Sequence, residues 1–580
     1  MSPEARRNST TARIRDGDLD VTAHEPDTAE TVGWHPRLVR RSREIRLALG
    51  CLVIGMSVVG LTVFWARAVT GGGLDIGAHY LITNWIMEHW NLPSTDPALQ
   101  GFSDYPAGSH FLAAVIGKVV GSPILGLQLA AFGAITTVWL ATASILAMYP
   151  RTKRYLALGF LALLILLNSP VGPFGAQGYG FELVTNYFYS QAVGQALFAI
   201  AALWVVFAIR EQKSYFSSAV PVAVAAVMSS AFHVVTSLEL LALLGLLSLR
   251  ELWTSPALRE GFPRLRRRSF SNSVVGALLL PLFTLIIVVM LPGVRYQAGA
   301  AADDGYLELP YLPTPGWVGA LAFLVLVISA VLVATAKHHG EASSKRVTVG
   351  IAILGASIAL PAFALWCDFE FVGGAGPYAV KKMGYGLATA LALQICAFSV
   401  LLIPAFRERT PRHSAVALIP FTAIAVSLVT GIAMWSVYSE NVQRRTSELV
   451  LMEEAFANNA AALESPPGTL DIALDLSKQP GSFWGGTIDY LFTVSALHGI
   501  ERGGRIAEAG APGLTSVFFV APQFVAEPRL NKVMTRRGSQ VDIAACRVAP
   551  PVNGFVVLWA DCLVDRGKNL YVDGPGKAQN

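Results

Sequence analysis

A single carboxylate, Asp75, follows the run Gly71-Gly72-Gly73-Leu74 just beyond the first long apolar segment, and His79 comes four positions later. Further on stands Asp104-Tyr105-Pro106-Ala107-Gly108-Ser109-His110. Much later, Pro377-Tyr378-Ala379-Val380-Lys381-Lys382 opens another apolar run, and Arg295 lies in Pro292-Gly293-Val294-Arg295-Tyr296-Gln297. A carboxylate beside a hydroxyl can take its proton as that oxygen forms a new bond. Preorganised cations stabilise negative charge as it develops on a departing group. A lone carboxylate outside the first apolar segment, followed by a Trp-rich amphipathic stretch, suits a lipid-facing catalytic site better than a pore. The plainer role for Asp75 is a solvated carboxylate ordering the end of that segment. Asp104 is a second candidate base, or a turn cap before Tyr-Pro.

These residues have to be positioned by membrane spans. The chain has 580 residues, 53% of them hydrophobic and 14% charged, whereas soluble domains run near a quarter charged. Its mean hydropathy is +0.50. Apolar runs long enough to cross a hydrocarbon core of about 30 Å recur along it. Eleven spans are expected, over 46–68, 124–148, 155–168, 191–209, 216–231, 233–249, 273–291, 316–335, 347–366, 382–404 and 415–437. Between residues 46 and 437 there are 23 Lys or Arg, and 18 of them fall on one side of this scheme. The positive-inside rule makes that side cytoplasmic. The N-terminus is then inside, and an odd number of spans puts the C-terminus outside. Because the basic residues anchor short loops, nucleic acid is not implied.

Three regions follow. Residues 1–45 are polar, lack the apolar core of a signal peptide, and read as a disordered cytoplasmic tail. Residues 46–437 are the α-helical polytopic domain. Residues 438–580 read as a small extracytoplasmic α+β module: a helix over Tyr438–Glu464 continuing the last span, then strands over Ser516–Val520, Val541–Ala544 and Gly554–Trp559. Cys546 and Cys562 can pair if that module lies outside the cytoplasm.

From Ile76 to Trp90, apolar Tyr80, Leu81, Trp85 and Ile86 alternate with polar His79, Asn84 and Glu88, as in a helix lying at the membrane interface. Ser109–Val120 is apolar but too short to span. With Leu74-Asp75-Ile76-Gly77-Ala78-His79-Tyr80 and Asp104-Tyr105-Pro106-Ala107-Gly108, this layout resembles the GT-C superfamily of membrane glycosyltransferases, which use polyprenyl-phosphate sugars. The resemblance covers about residues 46–437 and leaves the C-terminal module unplaced. It implies a juxtamembrane-helix architecture and Asp75 as the base on the acceptor hydroxyl. One of Lys381 or Lys382 would hold the lipid phosphate within a Tyr/Lys element that includes Tyr378, with Arg295 as a further ligand. It further implies inverting transfer to a cell-envelope glycan or glycoprotein, at the outer face of the cytoplasmic membrane, with no metal or other cofactor.

Both lysines also admit interfacial snorkelling, and Arg295 a surface pair with Asp303 or Asp304. His79, one turn from Asp75, together with Tyr80, His110 and His233, is a candidate contact to substrate; a structural hydrogen bond is the alternative for each histidine. Glu239 lies inside an apolar run, where an ionisable group usually faces the bundle interior. Asn186-Tyr187-Phe188-Tyr189-Ser190-Gln191 suits stacking on sugars or an interfacial aromatic belt. No metal-ligand spacing, phosphate-binding loop or dinucleotide fingerprint occurs. The rival readings are a transporter or flippase of lipid-linked sugars and a polysaccharide polymerase or ligase.

Overall fold

The computed structural model describes residues 76–92, 104–167, 178–180, 183, 188–254, 272–300, 312–338, 341–407, 446–466, 469–476 and 529–568, all within one compact unit, Val53–Asn580. Residues 1–45, Asp75, the expected spans 46–68 and 415–437, and the expected strand 516–520 lie outside the described residues.

Thirteen helices precede the C-terminal module among these residues: α1 Ile76–His89, α2 Gly108–Val120, α3 Pro123–Ala147, α4 Arg151–Leu167, α5 Tyr189–Arg210, α6 Tyr215–Ser230, α7 Val234–Thr254, α8 Asn272–Met290, α9 Pro292–Ala300, α10 Pro315–His338, α11 Ala342–Cys367, α12 Pro377–Lys382 and α13 Gly384–Arg407. Among the described residues, six segments are long and apolar enough to cross a membrane: α3, α5, α8, α10, α11 with the π-helical turn that extends it to Val372, and α12–α13 as far as Leu401. The chain is a mostly helical, polytopic membrane protein. Three more expected spans are helices of 17, 16 and 21 residues, α4, α6 and α7.

Local sequence explains where the helices begin and turn. Ser122 accepts a hydrogen bond from the Leu125 amide at 3.1 Å and Pro123 takes the first position of α3, the favoured chemistry of a helix start. Gly121, with φ of 78°, ends α2, so α2 and α3 form a tight pair. Helix α11 is central, packing on α5, α7, α10 and α13. Two-thirds of the α5 span is buried inside the bundle, against 22% of α8, whose exposed Leu278, Leu282, Phe283 and Ile286 make a surface suited to lipid.

Basic side chains gather at one end of the bundle. There Lys153 Nζ reaches Ser344 Oγ at 3.4 Å, Arg346 donates to the Arg210 carbonyl at 2.7 Å, and Lys345 donates to the Lys337 carbonyl at 3.1 Å. The opposite end carries α1, α2, α9, α12 and the start of α5 and α7.

The C-terminal module begins with a helix over 446–458, α14, and a last turn, Ala460–Leu463. A three-stranded sheet follows: β1 Thr469–Leu474 runs parallel to β2 Arg529–Arg536, which is antiparallel to β3 Phe555–Trp559. Alternate residues face opposite sides. Ala473, Met534 and Val557 join the main core with Leu449, Met452 and Ala455 of α14. Ile472, Val533, Val556 and Leu558 form a second cluster, against which Leu81 of α1 packs. The expected strand at Val541–Ala544 is instead a turn entering a 3-10 helix, Ala544–Cys546. Asp542 there caps the Gly538 amide at 2.8 Å and pairs with Arg547, bonds that bend the chain away from a ladder. Cys546 and Cys562 form a disulfide.

Candidate functional site

The first turn of α1 places His79 inside the protein, 5% exposed, with Nδ1 2.8 Å from Nε2 of the fully buried His110 on α2. His110 Nδ1 lies 3.3 Å from Ser109 Oγ, and Ser109 Oγ donates to Ser190 Oγ at 3.0 Å. Tyr105 Oη approaches the same Ser190 Oγ at 3.4 Å. Tyr189 stands edge-on to both histidines, with ring centroids 5.7 and 5.5 Å away, and donates its hydroxyl to the Ser109 carbonyl at 2.6 Å. Burial holds the His110 imidazole down at about 3, so His110 is neutral at ordinary pH.

Two loops are seated against this cluster. Gly108 donates its amide to the Ala231 carbonyl at 2.7 Å, which fixes the Tyr105-Pro106 loop on the α6–α7 hairpin. At that hairpin His233 is buried, and the Val234 amide donates to Gln297 Oε1 of α9 at 2.6 Å. A Cβ on Gly293 of α9 would lie 3.0 Å from Pro106, so α9 also rests on the loop. Arg295, however, is exposed, and its guanidinium runs back along the end of α8, 3.4 Å from both the Val289 carbonyl and Met290 Sδ. Asp104 is exposed.

The positive side of the site is Lys382. Its ammonium lies 4.3 Å from the centroid of Phe188 and 4.2 Å from that of Tyr378, a cation held between two aromatic faces. Its carbonyl accepts from Gln191 Nε2 at 3.4 Å. Burial, and then the charge of Lys382, push the His233 imidazole well below its ordinary value. Lys381 is half-buried at the preceding position. One turn of chain, Phe188 to Gln191, therefore touches both halves of the site: Phe188 and Gln191 meet Lys382, while Tyr189 and Ser190 meet the histidines and Tyr105.

Tyr80, the neighbour of His79, is buried and hydrogen-bonds Glu453 of α14. Burial and then Glu453 hold the Tyr80 phenol well above its usual range. Glu453 also accepts from the Ile124 amide at 3.4 Å, so one carboxylate ties the C-terminal module to α1 and to the start of α3. Glu239 is buried and accepts from the Tyr179 hydroxyl at 2.9 Å. A Cβ on Gly386 would stand 2.8 Å from its Oε1, so the carboxylate lies against the α13 backbone. Among the described residues, no three His, Cys, Asp or Glu side chains converge as metal ligands.

The residues the sequence points to thus sort clearly. His79, His110, Tyr105, His233, Lys382 and Tyr378 share one end of the bundle, while Arg295 and Asp104 lie at its surface and Asp75 is outside the described residues. Ser109, Ser190 and Glu453 join the site without a distinguishing sequence signal; Ser109 stands next to His110, and that adjacency is the nearest hint. The fold and site define a polytopic helical membrane protein with a buried polar cluster at one end. No family model matches the chain, and no curated protein matches it.

Proposed function

We propose that this chain is a glycosyltransferase that takes a sugar from a polyprenyl-phosphate donor and passes it, with inversion, to a cell-envelope glycan or glycoprotein. The observation that carries the reading is the Phe188–Gln191 turn, which joins a caged lysine to a buried imidazole pair at one end of an apolar bundle. A lipid phosphate entering from the bilayer would meet Lys382 at that depth, with Tyr378 and Phe188 shielding the pair from water. Desolvation of that kind strengthens the cation's hold on the leaving group. Asp75, the residue before α1, takes the acceptor's proton. The acceptor oxygen then attacks the anomeric carbon from the face opposite the departing phosphate, as in other reactions with oxocarbenium-like transition states.

The basic end of the bundle faces the cytoplasm and the site faces outward, an assignment supported by the positive-inside rule. The eleven-span scheme then puts the C-terminal module outside. A disulfide in that module suits an oxidising compartment. Its contacts to α1 through Leu81 and Glu453 support a role for the module in positioning the acceptor.

The rival transport reading leans on Glu239, and that carboxylate is instead held by Tyr179 and packed against α13. Membranes carrying the full chain, supplied with a panel of radiolabelled polyprenyl-phosphate sugars, should yield labelled envelope product from at least one donor. Movement of intact lipid-linked sugar across the bilayer without product would favour the transporter.

A further inference from the structure

We infer that Lys382, His233, Gln191 and Gln195 line one subsite for a phosphate with hydroxyl groups beside it, the chemistry of a glycosyl phosphate. The inference assigns residues to the donor side of the transfer reading above and rests on that reading. Its first support is the tautomer of His233. The Val235 amide donates to His233 Nδ1 at 3.3 Å, so that nitrogen carries a lone pair and the ring's proton sits on Nε2. The imidazole thereby caps the start of α7, which fixes its orientation. Its Nε2–H has no hydrogen-bond partner among the described residues, and the charge of Lys382 bears on the ring. A neutral donor and an ammonium close together, at a helix start, suit an anion. His233 is 7% exposed and Lys382 half-buried, so the pair reaches the surface.

Gln191 supplies the opposite chemistry. Its Nε2 donates to the Lys382 carbonyl at 3.4 Å, which sets the amide's orientation and leaves Oε1 buried without a partner among the described residues. One turn deeper on the same face of α5, Gln195 is buried with Nε2 and Oε1 both unpartnered there. A Cβ on Gly194 would stand 2.5 Å from Thr236 Oγ1, so α5 and α7 touch at that point. Both helices start at this end of the bundle. Three residues back from the contact lie Gln191 on one and His233 on the other, at one level.

These groups ask for two kinds of atom in one ligand. Lys382 and His233 present donors, which phosphate oxygens satisfy. Gln191 Oε1 is an acceptor, which phosphate repels, and a buried amide left unpaired is costly. Hydroxyls next to the phosphate satisfy Gln191 and Gln195 together, whereas phosphate alone leaves both amides unmet.

Binding to the full chain in micelles tests the subsite without any transfer step. The probes are inorganic phosphate, farnesyl phosphate and a panel of farnesyl-phosphate-linked sugars, each titrated by calorimetry. At least one linked sugar should bind about tenfold tighter than farnesyl phosphate, and inorganic phosphate should bind weakest. His233→Asn keeps a capping side chain but draws the donor back, and should weaken both lipids by about tenfold, the worth of a hydrogen bond to a charged group. Gln195→Met keeps the length and loses the amide; it should weaken the linked sugar alone, by about tenfold. Unchanged affinities in either variant overturn the subsite. So does a Gln195→Met loss shared equally by both lipids, which marks structural damage. Equal wild-type affinity for farnesyl phosphate and every linked sugar overturns it too, leaving the amides to trapped water. Inorganic phosphate binding as tightly as the lipids would assign the anion to a free ion and likewise overturn it. The expected affinities without any sugar transferred in membranes would keep the subsite and overturn the transferase reading, while transfer with affinities unmoved in both variants would do the reverse.

Discussion

Substituting Gly108 by alanine should damage the site by unseating the loop that carries Tyr105. A Cβ at this position would stand 2.8 Å from the Ala231 carbonyl oxygen and 2.8 and 2.9 Å from two carbons of the Phe232 ring. The carbonyl is backbone, and it already accepts from the Gly108 amide at 2.7 Å, so it cannot swing aside. Overpacking of this kind costs about 1–3 kcal/mol, and a lengthened hydrogen bond adds about 1 kcal/mol. The expected loss is therefore roughly 2–4 kcal/mol by those two terms. A loop displaced by about 1 Å would also lower transfer by about 10²-fold. Gly133, inside α3, is the control, since among the described residues no atom lies within 4 Å of the place its Cβ would take. Its change to alanine should stabilise by up to about 1 kcal/mol through helix propensity. Denaturant unfolding of the purified protein in mixed micelles, read by tryptophan fluorescence and paired with transfer assays, separates the two. Equal stability and activity of the Gly108 and Gly133 variants would refute the seating of the loop on the hairpin.

Two further outcomes are expected. The Cys546–Cys562 bond closes a loop with a sequence separation of 16, so replacing both cysteines by alanine should cost the module about 3 kcal/mol, seen as earlier cleavage by protease at the C-terminal end. Stability should also fall in acid. His110 stays neutral down to about 3 in the fold but takes a proton near 6.5 when unfolded. The unfolded chain therefore binds the extra proton between those limits, and this contribution is complete above about pH 6.5 and lost progressively below it. His233 acts in the same direction. Unfolding curves at pH 7 and pH 5 check the sign, and the pH slope should shrink in His110→Asn.

The sequence was most readable where composition alone decides structure. The apolar runs that became α3, α5, α8, α10, α11 and α13 needed no tertiary information, because a bilayer requires long helices with their backbone bonds satisfied internally. In the C-terminal module that simplicity is lost. Strand β2, Arg529–Arg536, carries Asn531, Lys532 and Arg536 and shows no apolar run. Lys532 is nonetheless buried, its amine bonded to the Glu464 carbonyl at 2.5 Å and placed 5.3 Å from the Trp559 ring, partners supplied only by the fold. Val541–Ala544 failed in the opposite way: it has the composition of a strand, but Asp542 commits the segment to a turn.

The site shows the same division. Lys381-Lys382 stood out because two charges at the less basic side of the scheme are anomalous, and Tyr105-Pro106 because it stands between a Trp-rich amphipathic stretch and a new apolar run. What brings them together is Phe188–Gln191, at the start of α5, and no local pattern ties that turn to His110, about eighty residues earlier, or to Lys382, nearly two hundred later. Glu453 is illegible for the same reason, since its partners Tyr80 and Ile124 lie more than three hundred residues away.

The most direct test of the central claim is transfer of labelled sugar from a polyprenyl-phosphate donor by Asp75→Asn, measured beside the wild-type chain at matched levels in the same membranes. Loss of about 10²- to 10⁴-fold in rate, the contribution of a positioned general base, is the expected result. Equal product from both chains would contradict the assignment of Asp75 as the base that activates the acceptor.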